Sequence, residues 1–260
     1  MLLTFDIGNT VVHIGVFDGD NLIITLRMST DTRRMADEYG AMMTNLIHWK
    51  GIDPSRITGA CMCSVVPPLT VVFSDVCSRF FGVTPLTVSA GVRTGLRILY
   101  DNPRDVGADR ISDAVAGIEL YGTPLIVVDL GTATVFDAIS REGDYLGGAI
   151  APGLNLAADS LFFNTSQLRR VELIAPKSAI GHSTVTSMQS GLVFGYAGLV
   201  TAMVERFKAE IGSDAKVIGT GGLVNVIAKE APVFNEINQD LTLVGLRLIY
   251  QLNQRQKPTD

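Results

Sequence analysis

Two short polar segments each close an apolar run. Met1-Leu2-Leu3-Thr4-Phe5 leads into Asp6-Ile7-Gly8-Asn9-Thr10, and Leu125-Ile126-Val127-Val128 leads into Asp129-Leu130-Gly131-Thr132-Ala133-Thr134. β-prone residues follow both. The pattern is strand, acidic-glycine turn, strand, written twice. Such a hairpin can hold phosphate. Glycine lets the backbone approach, amides and hydroxyls donate, and the carboxylate can hold a metal ion, usually through water. Two of them predict a grip on a nucleoside triphosphate from both sides. Either one alone is also an ordinary β-turn, because Gly-Asn is favoured there. The repetition is what favours the phosphate reading.

Three further segments carry candidate chemistry. Asp129 ends an apolar strand, where an uncompensated carboxylate is costly, so a cation or a phosphate-bound metal is expected nearby. Asp137 is expected to be a surface strand residue. Ile218-Gly219-Thr220-Gly221-Gly222-Leu223 stands between a strand and a helix. It fits the adenosine end of a nucleotide beside a helix N-terminus, or simply a tight strand-to-helix turn. The densest polar stretch is Tyr100-Asp101-Asn102-Pro103-Arg104-Asp105-Val106-Gly107-Ala108-Asp109-Arg110. A helical pattern begins just beyond it, which puts Asp109 and Arg110 at a helix start. There Asp109 is either a cap near the positive helix end or a base facing a phosphate clamp. Gly181-His182-Ser183-Thr184 precedes a helix whose small residues Gly191, Gly195 and Gly198 allow close approach of another backbone. That approach is a dimer seam or packing on the chain's own sheet; both stay open. His13, His48 and His182 are expected to be structural or superficial, and Met42 and Met43 core filler.

The elements that must position these groups follow from periodicity and turn residues. Strands are predicted over residues 2–5, 11–17 and 22–27, a helix over 35–49, a strand over 57–65 stopped by Pro67-Pro68, a helix over 69–81 and a short strand over 86–89. The second part repeats the theme: strands over 125–129, 134–139 and 145–150, helices near 154–163 and 185–211, a strand over 216–218 and a closing helix over 241–252. A β-β-β-α-β-α order used twice is the layout of the actin-like and sugar-kinase-like ATPases, an α/β class of duplicated ribonuclease H-like domains. Each half is a mixed sheet flanked by helices, and the nucleotide is expected in an interdomain cleft. The halves are expected at 1–115, with the first phosphate loop and the start of the substrate segment, and at 116–260, with the second phosphate loop, the adenosine loop and the dimer helix.

Composition narrows the partners. The chain has 260 residues, 47% hydrophobic and 18% charged, with net charge −5, so one large domain or two of about 130 residues are within reach. No basic cluster exceeds Arg33-Arg34 or Arg169-Arg170, which speaks against nucleic acid. Cys61, Cys63 and Cys77 form no disulfide or metal-site spacing and are expected to be reduced. Cys61 and Cys63 alternate along a strand and share one buried face. Residues 191–204 form the longest apolar stretch, shorter than the roughly 20 needed to span a membrane, and no signal peptide is apparent at the start. A cytoplasmic protein with a disordered polar tail over 254–260 is expected.

The motifs, taken in order, resemble type III pantothenate kinase. They are Asp6-x-Gly8-Asn9-Thr10; Ser64-Val65-Val66-Pro67; Tyr100-x-Asn102-Pro103-x-x-Val106-Gly107-Ala108-Asp109-Arg110; Asp129-x-Gly131-Thr132-Ala133-x-x-x-Asp137; Gly147-Gly148-x-Ile150-x-Pro152-Gly153; and Gly219-Thr220-Gly221-Gly222-Leu223. The third block is the specific one. The resemblance implies ATP-dependent phosphorylation of pantothenate, the first step of coenzyme A synthesis, by a homodimer that needs Mg²⁺ and a monovalent cation, K⁺ or NH₄⁺. It implies Asp109 as proton acceptor. Tyr100, Gly107, Ala108, Asp109, Arg110 and Thr184 would meet pantothenate, and Asp129 the monovalent cation. Asp6, Ile7, Gly8, Asn9, Thr10, Val11, Val12, His13 and Thr132 would meet ATP. Where many members have a second Asn or Thr, this chain has Val11-Val12-His13, so Val11 and Val12 could offer only backbone. Another small-molecule kinase of the superfamily and a non-catalytic nucleotide-binding regulator are the alternative functions. The joint presence of Asp6, Asp109, Asp129 and Thr132 speaks against the regulator.

Overall fold

The first apolar run becomes the middle of a sheet. In the computed structural model, which describes residues 1–254, β1 (Leu2–Ile7) pairs antiparallel with β2 (Val11–Asp18), and β2 with β3 (Asn21–Ser29). α1 (Ala36–Trp49) leads to β4 (Gly59–Ser64), parallel to β1, and α2 (Pro67–Phe81) leads to β5 (Pro85–Thr87), parallel to β4. Leu3, Phe5 and Ile7 of β1 pack against Tyr39, Met43 and Ile47 of α1 and Leu69, Phe73 and Val76 of α2. α2 starts two residues before the predicted Leu69. Pro67 and Pro68 occupy its first turn, where a missing N–H costs nothing, and Gly82 ends it in the left-handed region at φ 66°.

The plan then recurs. α3 (Ala108–Tyr121) precedes β6 (Leu125–Leu130), β7 (Ala133–Ile139) and β8 (Tyr145–Pro152), an antiparallel meander. α4 (Leu154–Phe163) and α5 (Thr184–Ile211) lead to β9 (Lys216–Thr220), parallel to β6. α6 (Val224–Ile227) leads to β10 (Glu236–Ile237), a two-residue strand that sequence periodicity cannot show. The sheets are ordered β3-β2-β1-β4-β5 and β10-β9-β6-β7-β8. Counted from its own first strand, each sheet has the same order. The duplication seen in two hairpins is therefore a duplication of topology.

The chain divides into two compact units. Met1–Leu96, Asn102–Ala116 and the chain from Leu241 form the first; Arg97–Asp101 and Gly117–Asp240 form the second. The halves expected at 1–115 and 116–260 differ from this in two respects: Arg97–Asp101, with Tyr100, falls in the second unit, and the chain from Leu241 falls in the first. The closing helix, α7 (Leu241–Gln254), belongs to the first unit. Its Leu243, Leu246 and Ile249 are buried with Leu2, Phe17, Cys61, Cys63 and Val88. Leu2 alternates with Leu3 and Phe5 along β1, so α7 covers the sheet face opposite α1 and α2. Apart from Gln254, the tail expected to be disordered lies outside the described residues.

α5 is longer than the apolar stretch foreseen for it. Its 28 residues are enough, by length and composition alone, to cross a membrane. Leu192, Val193, Ala197, Val200 and Val204 nevertheless form one wall of the second unit's core, as in the core helix of a globular unit. Ser183 caps it, accepting from the Thr186 N–H at 3.2 Å, while the Thr186 hydroxyl accepts from the Ser183 N–H at 3.0 Å.

Candidate active site

In the first unit, Asp6 lies near the end of β1. Its register partners are His13 on β2 and Cys63 on β4, and residues in register share a sheet face. The Cys63 thiol donates to Asp6 Oδ1 at 3.5 Å. Burial pushes the Asp6 carboxyl up to about 6, and the Asp109 carboxylate adds to that; the Cys63 hydrogen bond and His13 oppose it. Burial also raises the Cys63 thiol, followed by the charges of Asp6, Asp109 and Asp113. Three carboxylates thus stand within electrostatic reach of one thiol.

The loop after β1 is braced from β3. The Gly8 N–H donates to the Val11 carbonyl at 3.1 Å, the Thr30 hydroxyl to the Gly8 carbonyl at 2.6 Å, and the Thr30 N–H to the Thr10 carbonyl at 3.1 Å. Asn9, Thr10 and Val11 are exposed on it. Ile7 and Val12 are fully buried, so they can offer a ligand only their backbone. His13 is likewise buried, as a strand residue rather than a loop residue.

The polar block before α3 is a short 3₁₀ turn, Pro103–Asp105, followed by the helix start. Asn102 Oδ1 accepts from the Arg104 N–H at 3.3 Å, and its amide donates to Asp105 at 2.8 Å. A Cβ on Gly107 would overlap Asp109 Oδ1, which accepts from the Arg110 N–H at 2.9 Å. Gly107 therefore makes room for the carboxylate beside the first turn of α3.

In the second unit, Asp129 lies near the end of β6, opposite Val135 on β7 and Thr220 on β9. Its carboxylate faces two glycines. A Cβ on Gly131 would come within 3.2 Å of it, and one on Gly221 (φ 88°) would overlap it. The missing side chains leave a cradle at the carboxylate. Among the described residues no three His, Cys, Asp or Glu side chains cluster as metal ligands. A cation at Asp129 would be held by one carboxylate with carbonyl and water oxygens, a set suited to a hard ion. Thr132 is exposed at the turn, and the N-terminus of α4 presses on it. A Cβ on Gly153 would overlap the Thr132 carbonyl, and the Tyr196 hydroxyl holds the Pro152 carbonyl at 2.9 Å.

Tyr100 falls in the short segment that joins the second unit. That segment docks on Tyr145: the Leu99 N–H donates to the Tyr145 carbonyl, and the Tyr145 N–H to the Arg97 carbonyl, each at 2.8 Å. The rings of Tyr100 and Tyr145 are 6.5 Å apart, and Gly147 (φ 129°) leaves space against Tyr100. Thr184 is exposed at the first turn of α5. With Leu161, Leu168, Met188, Gly191 and Leu192 it lines a largely apolar hollow of about 380 Å³.

Two expectations are overturned here. Met42 is not core filler but exposed, and of the pair Met43 alone is buried. Asp137 is not a surface residue but 1% exposed, and it accepts from the Tyr145 hydroxyl at 2.6 Å. β7 lies between β6 and β8, and the Tyr145 ring closes over the position that alternation would leave in water. Thr30 and Asp113 are not singled out by the sequence, and Cys63 is foreseen there only as a buried strand residue. Only Cys63 had a signal, adjoining the Ser64-Val65-Val66-Pro67 motif.

Two sheets of one topology, each with an Asp-x-Gly hairpin at the end of its first strand, give the chain the fold class of the actin-like and sugar-kinase ATPases. Solved structures agree on the fold. An activator of 2-hydroxyisocaproyl-CoA dehydratase from Clostridium difficile, with bound ADPNP, superposes with a TM-score of 0.56 at 15% identity, covering 100% of this chain and 98% of its own. A protein described as a Baf family transcriptional activator from Campylobacter jejuni gives 0.61 at 18% identity, covering 97% and 99%. Sequence relatives narrow the class. The family model for type III pantothenate kinase matches residues 2–206. Type III pantothenate kinases from Dehalococcoides mccartyi and Myxococcus xanthus are 47% and 48% identical over 253 residues, 97% of this chain and 96% and 99% of theirs. The chain belongs to the type III pantothenate kinase family.

Proposed function

We propose that the chain transfers the γ-phosphoryl group of ATP to the primary hydroxyl of pantothenate, giving 4'-phosphopantothenate in the first step of coenzyme A synthesis. Beyond family membership, one observation carries the reading. Asp109 stands close enough to Asp6 for its charge to raise the Asp6 carboxyl. A candidate base and the carboxylate of a phosphate loop thus converge within one unit.

Phosphoryl transfer depends mainly on alignment and charge stabilisation. Asp109 orients the pantothenate hydroxyl and takes its proton as the O–P bond forms. A carboxylate is a weak base for an alcohol, but in a loose transition state the proton leaves late and position suffices. Arg110 gives a charge-assisted hydrogen bond to an oxygen of the substrate or of the transferring group. Gly107, Ala108 and Tyr100 meet pantothenate. Thr184 meets pantothenate as well. Asp6, Ile7, Gly8, Asn9, Thr10, Val11, Val12 and His13, with Thr132, meet ATP. Asp6 would hold Mg²⁺ through water, and the Asp129 cradle would hold K⁺ or NH₄⁺; bound there, these ions offset phosphate charge. The protein acts in the cytoplasm as a homodimer. α5 is the seam, because Gly191, Gly195 and Gly198 each face open space.

A coupled ADP-release assay with pantothenate, ATP, Mg²⁺ and K⁺ tests the reading. Asp109→Asn is expected to lower kcat by about two orders of magnitude while nucleotide binding persists, and Na⁺ in place of K⁺ to slow the parent. Near-normal turnover of the variant would remove Asp109 from the reaction. Equal rates in both salts would remove the cation from Asp129.

A further inference from the structure

α3 carries a second carboxylate one turn beyond Asp109, and the chemistry above leaves it unused. Asp113 is 3% exposed. Positions four apart share a helix face, so Asp113 continues the face of Asp109 into the protein. There Thr242, in the first turn of α7, donates its hydroxyl to Asp113 Oδ1 at 2.7 Å, across 129 residues of sequence. Three residues on, Gly245 lies on the backbone of Ser112, and a Cβ there would overlap the Ser112 carbonyl. The Ser112 hydroxyl donates back to the Ala108 carbonyl at 2.8 Å, in the turn that holds Asp109. α7 thus meets α3 at two consecutive residues, once by backbone approach and once by a hydrogen bond.

The two contacts restrain different motions. The glycine contact sets the distance between the helices. The hydrogen bond resists rotation of α3 about its axis, the motion that would swing Asp109 sideways. α7 is itself fixed in the first unit. Leu243, Leu246 and Ile249 are fully buried. Arg247 pairs with Asp20 and lies over the Phe17 ring at 5.7 Å. The Asn253 amide donates to the Arg93 carbonyl at 2.8 Å.

We propose that Thr242 and Asp113 form a positioning pair that sets the rotation of α3, and through it the aim of Asp109 at the acceptor hydroxyl. The inference rests on Asp109 being the proton acceptor. What the pair needs is a hydrogen bond rather than a charge. Asn at 113 can still accept through its carbonyl, whereas Val at 242 cannot donate. A reacting group displaced by about 1 Å can lose about a hundredfold in rate. A rotation limited by core packing is expected to lose about tenfold.

The test compares Thr242→Val, Thr242→Ala, Thr242→Ser, Asp113→Asn and Asp109→Asn in the full chain, by steady-state kinetics well below each melting temperature. Thr242→Val and Thr242→Ala are expected to lower kcat about tenfold with the KM for ATP changed less than about twofold. Thr242→Ser and Asp113→Asn should keep about half the parental rate or more. Using both Val and Ala guards against one of them failing to fold. Rates within about twofold of the parent for the folded Val or Ala variant would overturn the inference. So would a serine variant as slow as the valine one, which would mark a packing role, or an Asp113→Asn loss as deep, which would mark a role for charge. If Asp109→Asn itself turns over normally, the proton-acceptor reading fails and this inference with it. If Asp109→Asn is inactive while Thr242→Val is unimpaired, only this inference fails.

Discussion

Asp6 shows how a single residue can be held against its own stability. Its carboxyl is raised from an ordinary 3.8 to about 6, first by burial and then by Asp109. Between those pH values the folded chain keeps a proton that the unfolded chain has released, so stability falls as pH rises through that window. Above it the full penalty is present, at most about 3 kcal/mol for a shift of this size. In protein free of metal and nucleotide, Asp6→Asn is therefore expected to raise the melting temperature at pH 7.5, and to raise it less at pH 5. Thermal denaturation at the two pH values checks this. An equal gain at both would mean that charge is not the cause. The penalty at neutral pH is what a cation at Asp6 would relieve.

At the scale of elements, the Thr132 turn is shaped by a helix that follows it by some twenty residues. Gly153 heads α4 against the Thr132 carbonyl, and the Tyr196 hydroxyl of α5 holds Pro152 in place. Gly153→Ala must displace the turn or the helix, because the added carbon would fall on backbone rather than on a side chain that could rotate away. The expected result is a KM for ATP raised about tenfold, with a smaller change for pantothenate. An unchanged KM for ATP would separate this turn from the nucleotide. The elements themselves were largely legible. Strands and helices lie within two residues of their predicted bounds, because alternation, helical period, Gly82 and the Pro67-Pro68 pair are local signals. α6 and β10 are too short to carry a period, so neither alternation nor helical spacing marks them.

For the whole molecule, the unexplained surface is on α5. A Cβ on Gly191, Gly195 or Gly198 would touch nothing within 4 Å, although each glycine lowers helix stability by about 1 kcal/mol relative to alanine. A second copy of the chain would use that space. Sedimentation of the full 27.9 kDa chain is expected to give twice that mass, and Gly195→Arg to give the single mass with the fold intact. A dimer that tolerates the arginine would place the seam elsewhere.

The duplicated strand order, the two acidic hairpins and the position of Asp109 at a helix start are written in the linear chain. These depend on neighbours along the chain: hydrophobic period, turn chemistry and caps. It takes packing between distant segments to join α7 to the first unit, to bury Asp137 beside Tyr145 and to bring Thr242 to Asp113. Each of these turns on which surface covers which. A strand's own alternation cannot say whether its second face will be covered, and a threonine's type cannot say which carboxylate, 129 residues away, it will meet.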